Sequence, residues 1–592
     1  MLSKNEFNVL VALNGTPSIS QREIASKSGI SLGSANAALK SLTEKGMVSN
    51  GAINTEGKEA LSPFKVDNAI IMAAGLSSRF APISYEKPKG LLRVRGEVLI
   101  ERQIKQLKEA GINDITVVAG YKKEYFFYLE DTFGVTIVIN PEYASRNNNS
   151  TLMRVREKLG NTFICSSDDY FTENPFEPYV YQAYYAAQFC KGETPEWCIK
   201  EGPNKRIAGV TIGGSDSLIM LGHVYFDKAF SKRFSEILVA EYDRPETADK
   251  LWEQIYIDHI KELDMVVRPY PDGMINEFDS LDELRLFDPE FIQNVDSEAF
   301  DNIVATLGCT RDEIHDIYPL KQGLTNLSCH FAINSGEYVY RHPGVGTDKL
   351  INRQEETKAQ ELARSLKIDD TFIYEDPAKG WKVSRFIPNC EQLDPSNPTD
   401  IEEATSLIKK LHGSDAKLAL SFNFFQKSCD YAGLIEPSDL DAIPNFRQLE
   451  SEFAHLYDLF SADGVGRTVL CHNDFFYLNL LKDEKGTLSL IDWEYSGMAD
   501  FSQDLGTFIV CSELDEAAAD KLISLYFDNR ASIEQLQHCY AAVAFAGWCW
   551  YLWSLYKESQ GGESVGEWLY IYYRYAKKYL DKSLALYQTG IN

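Results

Sequence analysis

The sequence predicts a multidomain α/β protein with three successive parts. A short unit of helical pattern comes first, a series of alternating strands and helices follows, and the last part has a β-rich start and a largely helical remainder. At 592 residues the chain exceeds what one hydrophobic core usually supports. We therefore expect three domains, at residues 1–62, 66–295 and 300–590.

The N-terminal unit has the helix signals of a small three-helix domain. One helical pattern covers Glu6 to Leu13, and two more begin at Ser20 and Ser31, where Ser20 and Glu23 form a capping box. Residues 44–54 then predict a short β-wing. This pattern resembles the winged helix-turn-helix of bacterial regulators.

DNA binding by this unit is expected to be weak at most. Residues 1–65 contain seven Lys or Arg against five Glu, and the predicted recognition helix offers Ser34, Asn36 and Lys40 but no Arg. Affinity for duplex DNA depends on neutralising several phosphates. We therefore expect a docking, dimerisation or regulatory role, with DNA as the alternative partner.

The middle domain is predicted to be a doubly wound α/β fold. Its signals are four short apolar strands and one amphipathic helix. The strands are predicted at residues 69–74, 114–119, 136–139 and 162–165, and the helix at residues 99–110.

A small-residue turn follows the first of these strands. Ala73, Ala74 and Gly75 would let backbone N–H groups approach the phosphates of a nucleotide. Arg79 and Lys89 would supply the positive charge that displacement at an α-phosphate requires. The pattern therefore predicts a nucleotide-binding and catalytic site.

Further motifs at residues 87–92, 146–152, 167–171 and 276–281 complete a recognisable set. Residues 68–288 resemble the bacterial CTP:phosphocholine cytidylyltransferases, within the nucleotidyltransferases that activate sugar phosphates and phosphocholine. The resemblance implies that Lys89 contacts phosphate and that Asp168 and Asp279 hold Mg²⁺. The choice between Asp168 and Asp169, and between Glu277 and Asp279, stays open.

The C-terminal part contains a phosphotransferase loop. His472 and Asp474 are followed by Asn479, and Asp492 comes after an apolar strand. This H-x-D-x4-N spacing puts a carboxylate beside the acceptor hydroxyl and two metal ligands beside the nucleotide. We predict Asp474 as the catalytic base and Asn479 and Asp492 as ligands of Mg²⁺.

Residues 300–585 resemble choline and ethanolamine kinases, which are related to aminoglycoside phosphotransferases. The resemblance extends to Gly323, Asn326 and Arg341, with Arg341 in the nucleotide-phosphate role and paired with Glu356 or Glu355. There is no G-x-G-x-x-G before Arg341, which argues against a protein substrate.

Aromatic residues near the C-terminus predict the acceptor. Trp550 and Trp553 lie three apart on one helical face, and Tyr573 follows. Such rings suit a cage for a quaternary ammonium. They align with the choline pocket of choline kinases, although a stripe of this kind also occurs in ordinary cores.

Together the two resemblances imply one consecutive pathway with choline, ATP, phosphocholine and CTP as substrates and Mg²⁺ as cofactor. CDP-choline would then serve phosphocholine decoration of cell-surface glycans. The alternatives are the same chemistry on ethanolamine or an aminophosphonate, a sugar-1-phosphate nucleotidyltransferase fused to a small-molecule kinase, and a choline-sensing transcriptional regulator.

Composition restricts the cellular setting. The net charge of −28 argues against nucleic acid or an anionic membrane as the main partner. The eleven Cys show no C-x-x-C pair, and the apolar run at residues 541–553 is too short to span a bilayer. We expect a cytoplasmic protein without a membrane partner, and the sequence does not determine its oligomeric state.

Overall fold

The computed structural model describes residues 2–16, 19–320, 326–344, 347, 351–559 and 565–589. The chain divides into two compact units, Met1–Asp296 and Ser297–Asn592. This division falls between the second and third predicted domains, whose limits stay predictions. No helix in the described ranges combines the length and hydrophobicity that crossing a bilayer requires.

The first unit begins with the predicted winged helix-turn-helix. Its helices are Lys4–Gly15, Gln21–Lys27, Leu32–Glu44 and Thr55–Leu61, and its wing pairs Val48–Ser49 with Ala52–Ile53. The predicted capping box is confirmed: the Glu23 N–H donates to Ser20 Oγ at 3.3 Å and the Ser20 N–H donates to the Glu23 carboxylate at 2.8 Å.

A seven-stranded mixed sheet forms the centre of this unit. Its order is Val266–Pro269, Tyr184–Glu201, Ile207–Phe226, Thr162–Ser166, Asn68–Ala73, Ile115–Ala119 and Thr136–Ile139. The last four strands are parallel, which confirms the four predicted strands. The antiparallel hairpin formed by Tyr184–Glu201 and Ile207–Phe226 was not predicted. Several bulges interrupt its pairing, so that its sequence lacks a steady alternation of apolar and polar residues.

Helices and short strand pairs surround the sheet. The helices are Ile83–Glu86, Leu99–Glu109, Tyr128–Phe133, Asn149–Arg154, Lys228–Glu241, Trp252–Asp258, Leu281–Phe287 and Phe291–Asn294. The strand pairs are Arg93–Val94 with Glu97–Val98 and Tyr170–Phe171 with Ile275–Asn276. The predicted helix over residues 99–110 is thus confirmed to within one residue.

The second unit starts with a five-stranded antiparallel sheet and the helix Arg353–Ser365. The strand order is His315–Pro319, Leu327–Ile333, Gly336–His342, Lys382–Arg385 and Phe372–Glu375. Two smaller sheets follow, one with Glu391–Gln392, Leu480–Lys482 and Leu488–Leu490, the other with Thr468–Cys471 and Gly497–Asp500.

The rest of the second unit is helical. Its other helices are Glu298–Leu307, Pro398–His412, Phe424–Ala432, Pro437–Ala442, Phe446–Ala462, Ser502–Cys511, Glu516–Tyr526, Ile533–Ser559 and Glu567–Thr589. The apolar run at residues 541–553 lies in Ile533–Ser559 and is buried throughout, as the sequence predicts. The helix packs in part through Trp548, whose ring stacks on Phe453 at 4.6 Å.

Candidate functional sites

A pocket of ≈ 680 Å³ in the first unit contains the predicted nucleotide loop. Its lining includes residues 72–79, 88–90, 143–148 and 166–168. Ala73, Ala74 and Gly75 lie in its wall where the first strand ends. Gly90 is required by close packing, since a Cβ there would lie 2.7 Å from Ser167 Oγ. The volume is in the range of about 300–1,000 Å³ that small-ligand sites occupy.

Lys89 reaches into this pocket as the sequence predicts. Its ammonium lies 2.7 Å from Asp168 Oδ2, donates to the Phe278 carbonyl and lies 4.4 Å from the centroid of the Phe80 ring. Burial alone would lower the pKa of Lys89, but Asp168, Glu277 and Asp279 place negative charge around it and the pKa is raised. Lys89 is therefore a permanently charged group beside the nucleotide loop.

The structure separates the two adjacent acids of the 167–171 motif. Asp168 lines the pocket, whereas Asp169 is completely buried. Burial and the neighbouring charges of Glu277 and Asp168 raise the pKa of Asp169 well above its usual range. Asp168 is thus the acid that a metal ion in the pocket could reach.

Arg79 lines the same pocket and is paired with Asp279. Their side chains form an ion pair of 2.8 Å between Arg79 Nη1 and Asp279 Oδ1. The negative charges of Asp168 and Asp279 both raise the pKa of Lys89, so the two predicted metal ligands lie in the same region of the structure. Carboxylate oxygens are the ligands that Mg²⁺ prefers, so the donor set fits the ion.

Tyr185 and Glu253 are neighbours of this pocket that the sequence did not indicate. Asn148, which lines the pocket, donates from Nδ2 to Glu253 Oε2 at 3.2 Å, and the Tyr185 hydroxyl lies 3.5 Å from Glu253 Oε1. Burial raises the pKa of Glu253 to about 7. Burial raises the pKa of the Tyr185 hydroxyl well above its usual range, and the neighbouring Glu253 carboxyl adds to this effect. Neither residue lies in a recognised motif, and only the fold joins them.

The second site is built on the predicted phosphotransferase loop. Asp504 holds the start of this loop, because its two oxygens accept the backbone N–H groups of His472 at 2.9 Å and Asn473 at 2.6 Å. The ring of His412 lies 2.9 Å from the same carboxylate. The loop is therefore fixed from behind by buried hydrogen bonds.

Asp474, Asn479 and Asp492 lie together at the end of this loop. Asn479 Nδ2 donates to Asp474 Oδ2 at 2.9 Å, and Asp492 follows strand Leu488–Leu490 with a left-handed φ of 68°. Removal from solvent and the charges of Asp492 and Glu494 raise the pKa of Asp474 well above its usual range. An amide oxygen and a carboxylate suit Mg²⁺, so Asn479 and Asp492 fit the predicted metal site.

Arg341 lies next to this acidic group. Its guanidinium contacts Glu356 at 2.5 Å, Glu375 at 3.1 Å and Asp492 at 3.2 Å. The structure thus pairs Arg341 with Glu356, whereas Glu355 lies 2.6 Å from Lys358 Nζ. The arrangement places one buried cation beside the predicted metal ligands.

Asn326 is bonded to the segment that follows the predicted metal ligand Asp492. Its Nδ2 donates to Glu494 Oε2 at 2.8 Å. Gly323, which the sequence also assigns to nucleotide binding, lies outside the described residues.

The aromatic residues divide into those that lie near the predicted base and those that do not. Trp550 packs on Tyr495 at 5.2 Å and on Trp553 at 6.0 Å. Asn473 Nδ2 donates to the Tyr495 carbonyl at 2.9 Å, so Tyr495 lies beside the loop that carries the predicted base. Burial, and then the charges of Cys511 and Asp474, raise the pKa of the Tyr572 hydroxyl well above its usual range. Tyr573 instead packs on Tyr551 at 5.4 Å.

Tyr572 and Tyr495 were not among the predicted choline-binding residues, which included Tyr573 instead. Tyr572 lies on the buried face of helix Glu567–Thr589, with Tyr575 and Tyr579, and this spacing was a signal for it. Trp553 differs from Trp550 in having the Lys557 ammonium over its ring, 5.2 Å from the centroid.

Comparison with known protein families assigns each of the three parts of the chain to a family. Residues 2–49 match the winged helix-turn-helix DNA-binding family, residues 69–176 the MobA-like NTP transferase domain, and residues 317–526 the choline/ethanolamine kinase family. These matches agree with the three predicted fold types.

Individual relatives cover the two larger parts. The choline-phosphate cytidylyltransferase of Streptococcus pneumoniae is 34% identical over 226 residues, 38% of this chain and 98% of the relative. The 2-aminoethylphosphonate cytidylyltransferase of Lancefieldella rimae is 36% identical over 229 residues, 38% of this chain and 93% of the relative. Protein LicA of Haemophilus influenzae is 28% identical over 279 residues, 44% of this chain and 98% of the relative. The chain is therefore a multidomain enzyme that belongs to the family of the bacterial choline-phosphate and 2-aminoethylphosphonate cytidylyltransferases and also carries a choline/ethanolamine kinase domain and a winged helix-turn-helix domain.

Proposed function

We propose that this enzyme makes CDP-choline in two consecutive reactions. The second unit transfers the γ-phosphoryl group of ATP to choline, and the first unit transfers the cytidylyl group of CTP to phosphocholine and releases pyrophosphate. The observation that carries the proposal is the presence of two separate phosphate-transfer sites, with Asp474 in one and Lys89 in the other. The product of the first reaction is the acceptor of the second, which accounts for their fusion.

In the kinase reaction Asp474 accepts the proton of the choline hydroxyl as its oxygen attacks the γ-phosphorus. Hydrogen bonds of Asn479 to the Asp474 carboxylate and of Asp504 to the start of the loop hold Asp474 in position for this role. Arg341 provides positive charge for the nucleotide phosphates, and its contacts with Glu356 and Glu375 hold it in place. Mg²⁺, when bound by Asn479 and Asp492, would neutralise charge on the phosphates.

In the cytidylyl transfer a phosphate oxygen of phosphocholine attacks the α-phosphorus of CTP. This oxygen is already ionised, so the reaction needs no strong base. Lys89 and Arg79 stabilise the negative charge that spreads over the phosphates in the transition state. Asp168 and Asp279 would hold Mg²⁺ on the same side of the pocket.

The site proposed to bind the ammonium group of choline in the kinase domain differs in chemistry from the site proposed to bind that of phosphocholine in the cytidylyltransferase domain. These two sites are called the amine sites. Trp550, Tyr495 and Tyr572 present aromatic surface near Asp474, which suits a quaternary ammonium. The proposed site around Tyr185 instead offers a carboxyl group, since the Tyr185 hydroxyl lies 3.5 Å from Glu253 Oε1. Both environments favour a small cation over a neutral sugar, and the second supports a phosphorylated amine as the acceptor.

An aminophosphonate acceptor is the second candidate for the cytidylyltransferase, because the Lancefieldella relative is about as similar to this chain as the pneumococcal one. Its carbon–phosphorus bond cannot be formed by phosphorylation of a hydroxyl group. The fused kinase domain therefore favours a phosphate ester of an amino alcohol. We further propose, from the family resemblance, that the product serves phosphocholine decoration of cell-surface glycans.

A ³¹P NMR experiment tests the proposed function. The full-length protein with choline, ATP, CTP and Mg²⁺ is expected to yield the diphosphate signals of CDP-choline. Parallel reactions contain ethanolamine, or 2-aminoethylphosphonate with CTP alone, and are expected to be slower. Absence of CDP-choline, or faster conversion of the phosphonate, would contradict the proposed substrate.

Replacement of Trp550 by Leu should weaken choline binding. A cation–π contact is worth roughly 0.5–2 kcal/mol, so the KM for choline should rise about 2- to 30-fold while the KM for ATP changes less. Trp548→Leu is the matched control, because Trp548 is buried on the same helix but stacks on Phe453. Equal effects of the two replacements on choline would assign Trp550 to the core.

A further inference from the structure

The winged helix-turn-helix is in direct contact with the cytidylyltransferase domain within the first unit. The ring of Phe7, in the first helix, lies 5.4 Å from Tyr181 and 5.0 Å from Phe64. Tyr181 stacks on Phe64 at 5.4 Å, and its hydroxyl donates to the Leu2 carbonyl at 3.1 Å. Tyr181 therefore completes the hydrophobic core of the N-terminal domain from outside that domain.

Backbone hydrogen bonds reinforce this contact. The Val180 N–H donates to the Phe64 carbonyl at 2.9 Å, and the Val66 N–H donates to the Pro178 carbonyl at 3.0 Å. The segment that contains Tyr181 is thus bonded through its main chain to the residues that directly follow the N-terminal domain, and through side chains to that domain itself.

The same segment leads directly into the proposed acceptor site. Two residues after Tyr181, the Ala183 N–H donates to Asp227 Oδ2 at 3.0 Å. The Ala183 carbonyl accepts from the Val266 N–H at 3.1 Å. Two residues further on, the ring of Tyr185 stacks on Trp252 at 5.9 Å. Ordered contacts therefore connect the N-terminal domain to Tyr185 and, through its hydroxyl, to Glu253.

The outer face of the N-terminal domain gives little support for a DNA-binding role. Leu32 and Ala37 are exposed on its third helix, and the exposed Lys40 lies 3.9 Å from Glu44. Lys45 Nζ forms an ion pair with Glu6 Oε1 at 2.5 Å. The third helix carries one Lys or Arg, Lys40, to neutralise duplex phosphates.

From these contacts we infer that the winged helix-turn-helix is a positioning domain of the cytidylyltransferase. It holds strand Tyr184–Glu201 through Tyr181 and thereby sets the place of Tyr185 and Glu253 in the acceptor site. Tyr181 is a positioning residue, because it touches neither the nucleotide pocket nor the acceptor site itself. The inference rests on the proposed function, since Tyr185 and Glu253 matter only if this region receives the phosphorylated amine.

Kinetic constants of Tyr181→Ala test the inference on the full-length protein. Loss of the ring should raise the KM for phosphocholine roughly tenfold and the KM for CTP much less, because small displacements of positioning groups can cost up to about 10²-fold. Tyr181→Phe keeps the ring and should restore the wild-type KM. Phe7→Ala removes the partner ring and should reproduce the effect. Phe133→Ala, at the opposite edge of the sheet, is the control and should change neither KM.

The possible outcomes separate the inference from the proposed function. Cytidylyl transfer to phosphocholine by the wild-type protein tests the function alone. If that transfer occurs but Tyr181→Ala leaves the KM for phosphocholine unchanged, or raises both KM values equally, the positioning role is wrong. Thermal unfolding identifies variants that fail to fold. If Tyr181→Ala is one of them, calorimetric titration compares the affinity for phosphocholine of Tyr181→Phe with that of the wild-type protein. Specific operator binding at about 10⁻⁸–10⁻¹¹ M at physiological salt would overturn the inference in favour of a regulator.

Discussion

Replacing Asp474 by Asn is expected to abolish choline phosphorylation and to leave cytidylyl transfer from added phosphocholine intact. The amide cannot accept the hydroxyl proton, and loss of a general base typically costs about 10²- to 10⁴-fold in rate. The Asn side chain has nearly the same shape as the Asp side chain, and its amide oxygen can still accept the hydrogen bond from Asn479 Nδ2. ATP binding should therefore persist. Formation of ADP and of CDP-choline, measured separately on one preparation, checks both parts of this expectation.

Asp483→Asn is a matched control for this replacement. Asp483 lies in an exposed turn of the same unit, where its carboxylate accepts the N–H groups of Lys485 and Thr487. The Asp483→Asn protein should retain both choline phosphorylation and cytidylyl transfer. Substantial phosphorylation by Asp474→Asn would assign the base to another residue. Loss of both activities in a folded protein would contradict the two-site hypothesis.

Replacing Lys89 by Met is expected to have the opposite effect: cytidylyl transfer should be lost and choline phosphorylation kept. The ammonium that faces Asp168 and the nucleotide loop would be lost, whereas the aliphatic part could still pack on Phe80. Removal of one group that stabilises transition-state charge costs about 10²- to 10³-fold in rate. Cytidylyl transfer should fall by this factor while choline phosphorylation is unchanged.

Stability must be measured on the same variant, because Asp168 loses its charged partner. Breaking a buried ion pair costs about 3–5 kcal/mol, so the first unit should unfold more easily. Lys108→Met is the control, since Lys108 donates to the Phe133 carbonyl away from the pocket. A folded Lys89→Met protein that transfers cytidylyl groups at the wild-type rate would remove Lys89 from the proposed mechanism.

Local patterns in the sequence were sufficient for the elements and the loops. The four parallel strands were predicted from apolar runs, and the capping box of Ser20 and Glu23 from two residues three positions apart. The loop that contains Asp474 and Asn479 was predicted because the base and one metal ligand lie five residues apart, and Asp492 follows thirteen residues later after an apolar strand. The strands were recognised from local composition alone, and in the capping box and the loop the interacting groups are close in the chain, so that spacing specifies their geometry.

Contacts between distant segments could not be derived in this way. Glu355 and Glu356 are both buried, and only the packing of their helix decides that Glu356 pairs with Arg341. Tyr572 differs from Tyr573 because it lies on the buried face of its helix, whereas Tyr573 packs on Tyr551. The approach of Glu253 to Tyr185 depends on how a helix packs on the sheet.

The sequence by itself thus determined the fold class, the order of the parts and the chemistry of the two main loops. Only the tertiary structure decided which side chains surround the amine sites, and that Tyr181 joins the N-terminal domain to strand Tyr184–Glu201. The physical reason is that helix and strand periodicities are short-range properties, whereas a binding site collects residues through the burial of apolar surface between segments far apart in the chain.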